Sequence, residues 1–525
     1  MTPRSAILGL AGAGLFIAAL DTYLVVTLLP AMIGDVGLTV ERFEQATPIV
    51  TGFLCGYVIA MPLLGAYSDV RGRVPVYALC MVIFAAGSAV TATGGLLTFA
   101  GLPWLVAGRL MQGLGGGGLV PLTLALAADL YRDSRRPLAL GLVSGLQEAG
   151  SVFGPIYGTA MASAGAALGG WRFVFWLNLP LAAVCAAGLA IAYRSRDRSP
   201  IPASSAEETD NGRVRQQVTT FDWKSSALLG LGLGLLVVAL YPDDPANRAT
   251  SGLLIPLGIL SLIVLALYGW RQTHVLEPFI PRRLLSSRRF IGAAVANVLI
   301  GAALIVALVD VPILGRLVFS LDQLSAGLLL TQFLIGVPLG AVLGGILAGR
   351  MGARFTAALG MVCSAAAFLQ MSGWQAGELA LRVGPIRPAD IALGACGLGF
   401  GIVIAPLTAA VLQLTKAQNH GLASSLVVLA RVMGMLVGLS ALTAFGLFRF
   451  RQILGTPLLT DPAVRARVNH LARLIAAAFL QEYREIFTVA AGLCLLAATV
   501  VLLTLGQDAE RDLSTRPLHR HREHV

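Results

Sequence analysis

Three charged side chains interrupt apolar runs, where a charge is costly. Asp21 lies in "LFIAALDTYLVVTLLP" (15–30), Glu148 in "GLQEAGSVFG" (145–154) and Arg431 in "VVLARVMGML" (427–436). Each costs roughly 2.5–3.5 kcal/mol at the centre of a membrane helix on insertion scales. Three such charges at similar depth therefore predict mutual pairing or a hydrated cavity, and we expect the three side chains to face one another.

The balance of these charges predicts a proton site. Arg431 stays protonated and can neutralise only one carboxylate, so the other is left in a low dielectric, where its protonated form is favoured. We predict that Arg431 pairs with Asp21 or Glu148 according to conformation and that protonation releases it, so that the site holds one exchangeable proton. The alternative is a static ion pair that specifies helix packing.

Other chemistry on the chain is sparse. Asp310 precedes Pro312 near the predicted outer end of a helix, where it is either a second proton site or a helix-end hydrogen-bonding group. The histidines and cysteines show no metal-ligand spacing, and no nucleophile triad or phosphate loop is present, so we predict neither a metal nor a catalytic site. A membrane-embedded lipid-modifying enzyme, the alternative from another class, would need a catalytic His or Ser with a partner.

The composition defines the setting. Of 525 residues, 56% are hydrophobic and 12% are charged, which is the balance of a multi-pass membrane protein. Spanning the bilayer takes about 20 apolar residues as a helix. Hydropathy predicts fourteen such helices, near 6–33, 46–67, 74–97, 102–130, 138–164, 171–194, 224–241, 252–271, 290–315, 323–348, 355–373, 389–415, 419–448 and 466–505.

The basic residues set the topology. They number 38 against 27 acidic residues, and nearly all are arginines in short loops between apolar runs, which excludes a nucleic-acid site as the main interpretation. The loops at 71–73, 132–136, 194–198, 282–289 and 350–354 and the tail all fall on one side. By the positive-inside rule that side is the cytoplasm, so we expect an inner-membrane protein with both termini cytoplasmic.

An internal repeat divides the chain. "GAYSDVRGRV" (65–74) and "GILAGRMGAR" (345–354) share a glycine frame and basic ends. The prediction is an all-α membrane fold of two six-helix bundles with two inserted helices, a plan of transporters. The predicted segments are an N-terminal bundle (1–194), a cytoplasmic linker (195–223), the two inserted helices with their loop (224–288), a C-terminal bundle (289–507) and a basic tail (508–525).

The last two helices are predicted to be long. No Gly or Pro lies between Ala463 and Ala491, so one helix of about 65 Å, twice what a bilayer needs, is possible from residue 461. We predict that helices 13 and 14 project beyond the outer surface over about 449–485. The alternative is a short amphipathic helix in the interface followed by an ordinary span.

The stretch "GAYSDVRGR" (65–73) resembles the loop between helices 2 and 3 of the major facilitator superfamily, and the fourteen-helix plan resembles its proton-coupled drug exporters. The resemblance implies close packing and a tight turn at Gly65 and Gly72. It also implies a conformational latch in which Asp69, with Arg73 intact beside it, pairs across the bundle. Energy would come from the proton gradient, without a bound cofactor.

Two further stretches carry the same resemblance. "GRLMQGLGGGG" (108–118) is similar to the fourth-helix motif, in which Arg109 and Gln112 share one helix face. We expect Arg109 to be functional; the alternative is a partner for backbone carbonyls of a kinked neighbour. "WRFVFWLNLP" (171–180) is similar to the entry of helix 6.

The fifth helix resembles the antiporter motif of the same family. In "GLQEAGSVFGPIYG" (145–158), Gln147 precedes Glu148, and Gly150, Gly154 and Pro155 are expected to form a flat, kinked surface.

Three short stretches, "ALDTYLVVT" (19–27), "LQEAGSVFGPIYG" (146–158) and "ALVDVPIL" (307–314), together with the predicted outer extension of helices 13 and 14, resemble the actinobacterial exporters that work with a periplasmic lipoprotein. That group is implicated in moving triacylglycerol-type lipids outward and in drug tolerance. This resemblance implies export of a hydrophobic lipid by alternating access and a possible lipoprotein partner. A multidrug:proton antiporter with no lipid role is the alternative.

Overall fold

The computed structural model describes residues 3–36, 47–96, 101–131, 135–197, 221–241, 251–275, 278–321, 323–375, 377, 379, 387–460 and 468–505. Within these residues the chain forms fourteen long helices. They are α1 Pro3–Asp35, α2 Thr47–Arg71, α3 Arg73–Ala92, α4 Leu102–Leu130, α5 Arg136–Ala164, α6 Trp171–Asp197, α7 Trp223–Leu240, α8 Leu254–His274, α9 Arg288–Leu317, α10 Thr331–Met351, α11 Ala353–Ser372, α12 Pro388–Gln413, α13 His420–Thr460 and α14 Val468–Thr504.

The predicted membrane character is confirmed. Thirteen of these helices are long and apolar enough to cross a bilayer. The fourteenth, α5, is long enough at 29 residues but less apolar, because Gln147, Glu148 and many small residues lie along it. It packs between α1 and α10 instead of facing lipid all round.

The two halves repeat the same packing, which confirms the predicted fold class. In the first half α1 packs on α5 and α6, α2 on α4, and α3 on α4 and α6; in the second half α9–α14 repeat these pairs eight helices later. The corner between α2 and α3 turns at Gly72 (φ 93°), and that between α10 and α11 turns at Gly352 (φ 82°). Only glycine adopts such values without strain, so the repeated frame fixes both corners.

Some predicted boundaries are wrong. Helix α2 continues through Asp69 to Arg71, and α3 ends at Ala92 instead of residue 97. The predicted helix 323–348 is two, a short one at Gln323–Leu328 and then α10. Hydropathy sees only a continuous apolar run and cannot detect such a break. Of the predicted linker and tail, residues 198–220 and 506–525 lie outside the described residues.

The α7–α8 pair is attached to the side of the bundle. Gly230 and Gly234 of α7 abut Ile59 of α2, and Leu240 O accepts a hydrogen bond from Ser440 Oγ of α13 (2.7 Å). Helix α7 therefore contacts one helix of each half. Helix α8 covers α7 from outside and exposes most of its apolar side chains.

The last two helices are far longer than a membrane span. Helix α13 has 41 residues and α14 has 37, which correspond to about 62 Å and about 56 Å against about 30 Å of hydrocarbon. The great length predicted for these helices is therefore present. The side chains of 449–476 and the backbone of 461–467 lie outside the described residues.

Candidate functional site

A fully buried polar network fills the interior of the first half. Asp21 of α1 accepts hydrogen bonds from Arg109 Nη1 (2.5 Å) and Gln112 Nε2 (3.1 Å) of α4 and from Asn178 Nδ2 (3.1 Å) of α6. Ser88 Oγ of α3 accepts from the same two amide groups, at 2.8 and 3.2 Å. The Asp21 carboxylate thus joins α1, α4 and α6, and Ser88 connects α3 to the same network.

The network is well enclosed. Asp21, Arg109, Gln112 and Asn178 expose at most 1% of their surface, and the Arg109 guanidinium lies 4.3 Å from the centre of the Phe53 ring. Hydrogen bonds to both Asp21 oxygens and from both terminal nitrogens of Arg109 offset the cost of burying this ion pair, whereas Arg109 Nε is buried without a partner among the described residues. Arg109 and Gln112 share one face, as their spacing predicts, and Arg109 Nη2 also donates to the backbone oxygen of Asp21 (3.3 Å).

The second charged pair joins the two halves. Arg431 Nη2 of α13 donates to Glu148 Oε1 of α5 at 3.3 Å. Arg431 is 8% exposed and Glu148 is 19% exposed, so this pair is less enclosed than the Asp21 network. The charges of Glu148 and Arg431 also act on the phenols of Tyr23 and Tyr57, which lie beside them.

Arg431 therefore has one of its two predicted partners in this conformation, and the expectation that the other carboxylate lacks a cation is wrong. Asp21 bonds Arg109, whereas Arg431 bonds Glu148, and two arginines serve two carboxylates in this conformation. The sequence argument counted Arg431 as the only cation at this depth because residue spacing gives depth along a helix but not the direction in which the side chain points. No carboxylate of the three-residue set is left without a cation here.

Glu148 lies on a part of α5 that packs closely against α1. A side chain at Gly150 would meet Ala19 Cβ and Phe16 O at 2.7 Å, and one at Gly154 would meet Leu20 O at 2.5 Å. The flat surface expected before Pro155 is thus present. Gln147 O accepts a hydrogen bond from Ser151 Oγ (3.3 Å), and the Gln147 side chain is half-buried beside Glu148.

The corner between α2 and α3 lies at one end of the bundle, here called the basic end, with Arg71, Arg73, Arg350 and Arg354. There Asp69 Oδ1 and Oδ2 accept hydrogen bonds from the backbone N–H groups of Gly421 (3.0 Å) and Leu422 (2.9 Å). These groups form the first turn of α13, where the helix dipole favours a negative charge. Asp69 therefore caps a helix of the other half.

Two neighbours of Asp69 complete this contact. Arg73 forms an ion pair with Asp69 and donates from Nη2 to Ala417 O (3.0 Å), just before α13. Gly65 packs directly on Gly421, since a side chain on Gly65 would lie 2.7 Å from Gly421 O. The four residues predicted as a latch, Gly65, Asp69, Gly72 and Arg73, thus lie together where the halves meet.

Two further residues at the basic end belong to this contact but are not predicted from the sequence. His420 Nδ1 lies 2.7 Å from Asp129 Oδ1 at the end of α4, and Asp129 Oδ2 accepts from Arg73 Nε (3.2 Å). His420 is 3% exposed although it opens α13. In the sequence, Asp129 is visible only as an acidic residue just before the arginine-rich loop after α4. Nothing in the sequence relates it to His420.

Asp310 lies away from both clusters. It is half-buried near the end of α9 opposite the basic end, and none of the charged pairs described above involves it.

The tryptophan and arginine that begin α6 form defined contacts at the same end of the bundle as Asp310. Trp171 Nε1 donates to Asp35 Oδ2 (2.7 Å) and Arg172 pairs with the same carboxylate (2.6 Å), which ties α6 to the end of α1.

Comparison with known proteins agrees with this architecture. The sequence pattern of the major facilitator superfamily matches residues 11–439. The chain belongs to the major facilitator superfamily. It is therefore a membrane transporter and not an enzyme.

Particular relatives narrow the similarity. The chain is 37% identical to a triacylglyceride transporter of Mycolicibacterium hassiacum, over 96% of this chain and 93% of the relative. It is also 37% identical to the triacylglyceride transporters of Mycolicibacterium smegmatis, over 94% of this chain and 86% of the relative, and of Mycobacterium tuberculosis, over 94% and 93%.

Solved structures share the fold at low identity. The human organic anion transporter MFSD10 has a TM-score of 0.58 and 17% identity, over 95% of this chain and all of that chain. The proton:xylose symporter XylE has a TM-score of 0.53 and 14% identity, over 93% and 94%.

The network around Asp21 predicts a strong coupling between two residues. Arg109→Met leaves a buried, unpaired carboxylate and is expected to destabilise the protein by about 3–5 kcal/mol. Adding Asp21→Asn removes that charge, so the double variant should be more stable than Arg109→Met alone. Thermal unfolding in detergent measures the cycle. Simple additivity of the two single effects would show that the pair does not stabilise the bundle.

The capping contact predicts that Asp69 holds the basic end closed. With the six native cysteines replaced by alanine, a single cysteine at Ser425, which is buried beside Gly65, reports access from the basic end. Asp69→Asn weakens the cap and should raise the rate of maleimide labelling about tenfold, equivalent to about 1.4 kcal/mol. Arg71→Gln, an exposed change in the same turn, should leave the rate unchanged. Equal labelling rates with and without the Asp69→Asn substitution would contradict the capping role.

Proposed function

We propose that this protein exports a hydrophobic lipid of the triacylglycerol type in exchange for protons, by alternating access of its two halves. The observation that carries the proposal is the ion pair between Glu148 of one half and Arg431 of the other. Family membership and the names of the relatives support transport of lipid-like molecules.

The pair supplies a way for a proton to change the conformation. Arg431 keeps its charge, so the attraction between the halves at this level depends on whether Glu148 is ionised. Protonation of Glu148 removes the attraction and favours separation of α5 from α13. A proton arriving from the side of higher acidity thereby competes with the ion pair, which is the coupling that an exchanger requires.

The basic end supplies the opposing restraint. Hydrogen bonds between the halves occur at Asp69, Arg73 and His420 at this end, and the halves also meet where Gly141 of α5 packs on Gly345 of α10. This arrangement is consistent with a conformation closed toward the basic end. Opening there requires Asp69 to leave the first turn of α13, so the latch and the Glu148–Arg431 pair would change together.

The route of a lipid is inferred from which contact between the two halves is covered by a further helix and which is not. Two seams separate the halves: α2 with α13 on one side and α5 with α10 on the other. Helix α7 lies over the first seam and accepts a hydrogen bond from each half. The donors are Cys55 Sγ of α2 and Ser440 Oγ of α13. The α5–α10 seam has no such cover among the described residues, and α5 exposes the apolar side chains of Phe153 and Ile156. We propose that the lipid leaves or enters the bilayer through this second seam.

The setting of the transporter belongs to the same proposal. The arginines at the basic end favour an inner-membrane protein with both termini in the cytoplasm. Helices α13 and α14 would then project from the outer surface, and their length offers a contact for a periplasmic lipoprotein partner. No cofactor other than the proton gradient is required.

Transport in proteoliposomes with an imposed pH gradient tests the proposal, with a labelled triacylglycerol and a cationic dye as substrates. Glu148→Gln cannot exchange a proton, so gradient-driven transport should fall at least tenfold while gradient-independent substrate exchange persists. Glu485→Gln, which removes a partly exposed carboxyl of α14, is the matched control.

Full gradient dependence in Glu148→Gln would contradict proton coupling at this residue. Movement of the dye without the triacylglycerol would favour the multidrug:proton antiporter instead.

A further inference from the structure

A second pair of acidic residues lies in the C-terminal half, away from Glu148 and Arg431. Asp310 lies on α9 and Glu482 on α14, and these helices pack on each other in antiparallel directions. They are in contact at the basic end, where Gly292 meets Thr504. From that contact Asp310 lies roughly 27 Å along α9 and Glu482 roughly 33 Å along α14, so the two carboxyls have similar depth.

The surroundings of Glu482 disfavour a charge. Its side chain is 7% exposed, and Oε2 is buried without a hydrogen-bond partner among the described residues. Val311 and Leu314 of α9 and Ile486 and Phe487 of α14, on either side of the pair, are at most 2% exposed. A carboxylate in such an apolar environment is costly unless a cation or hydrogen bonds compensate it.

The nearby charged groups do not provide that compensation. The charge of Glu482 acts on Asp310, and the charges of both carboxyls act on the Tyr483 phenol. Arg484 is engaged elsewhere, since Nη2 and Nε donate to Trp374 O at 2.9 and 3.1 Å.

No basic residue of the other packed elements is among the charges that act on Asp310 or Glu482. Arg316 of α9 is exposed. Helix α13 carries no ionisable side chain between Arg431 and Arg449, and the Arg449 side chain lies outside the described residues. Glu485, one turn beyond Glu482, adds a further negative charge beside it.

We infer that Asp310 and Glu482 form a proton-binding carboxyl pair near the surface opposite the basic end. Two carboxylates that repel each other in an apolar site cannot both be ionised without a large cost. One proton from water converts one of them to the neutral acid and removes the repulsion. Release reverses the step and leaves two carboxylates, and no other reactant is needed.

A proton fits this site better than a metal ion. Calcium takes six to eight oxygen ligands and magnesium near-octahedral geometry, whereas this pair offers two carboxyls. No group of three or more metal-ligating side chains occurs among the described residues.

Infrared titration of the full chain in lipid nanodiscs tests the pair. The protonated carboxyl has a carbonyl band that amides lack. At neutral pH this band should be present in the unmodified protein and lost in the double variant Asp310→Asn, Glu482→Gln. Glu485→Gln leaves both carboxyls of the pair in place, so the band should remain, although the pH at which it disappears should fall because one neighbouring negative charge is removed. Identical spectra of the unmodified protein and the double variant would overturn the inference.

The single variants test whether the two groups interact, and they serve if the double variant does not fold. Each keeps one carboxyl without its negative neighbour, so its band should disappear at least about one pH unit lower, a tenfold weaker proton affinity. An unchanged midpoint in both would overturn the pairing. Loss of the band on adding sodium or calcium at constant pH would identify a metal-cation site and overturn it as well. The band should persist in Glu148→Gln, so the result is independent of the proposed proton coupling.

Discussion

The contact between Glu148 and Arg431 is the interaction on which the relation of the two halves depends. The halves are otherwise held by glycine-mediated helix crossings and by the cap at the basic end, neither of which includes Glu148. In the proposed mechanism, proton binding to a carboxylate opposite a permanent cation removes the attraction between the halves. The partial exposure of Glu148 matters for the same reason, because a proton must reach it from water.

The Asp21 network has the opposite character. Its carboxylate accepts bonds from three side chains of two helices and is excluded from solvent, so protonation there would weaken these bonds and leave the buried Arg109 without a counter-charge. Such a network fixes the arrangement of α1, α3, α4 and α6, as the proposed motion of the first half as a rigid body requires. Alternating access requires both features: rigid halves and a contact between them that a proton can break.

The sequence predicts the repeated parts of this structure well. Glycines recur at Gly72 and Gly352 because both corners need a positive φ, and the alternation of apolar runs with arginine loops gives the order of the helices. The latch residues were found because they are neighbours in the chain. The partner of Asp21 was missed because Arg109 lies 88 residues away and only the tertiary packing of α1 on α4 brings them together. Asp129, His420 and Glu482 could not be identified from the sequence for the same reason, because the groups they interact with lie on helices distant in the chain.

The most direct test of the central interaction is the number of protons released when substrate binds to the purified protein, measured by calorimetry in buffers of different ionisation enthalpy. If the Glu148–Arg431 pair couples the two events, the unmodified protein should exchange protons with the buffer on binding, whereas Glu148→Gln should bind substrate with no proton exchange. Equal proton exchange in the unmodified protein and in Glu148→Gln would contradict the account.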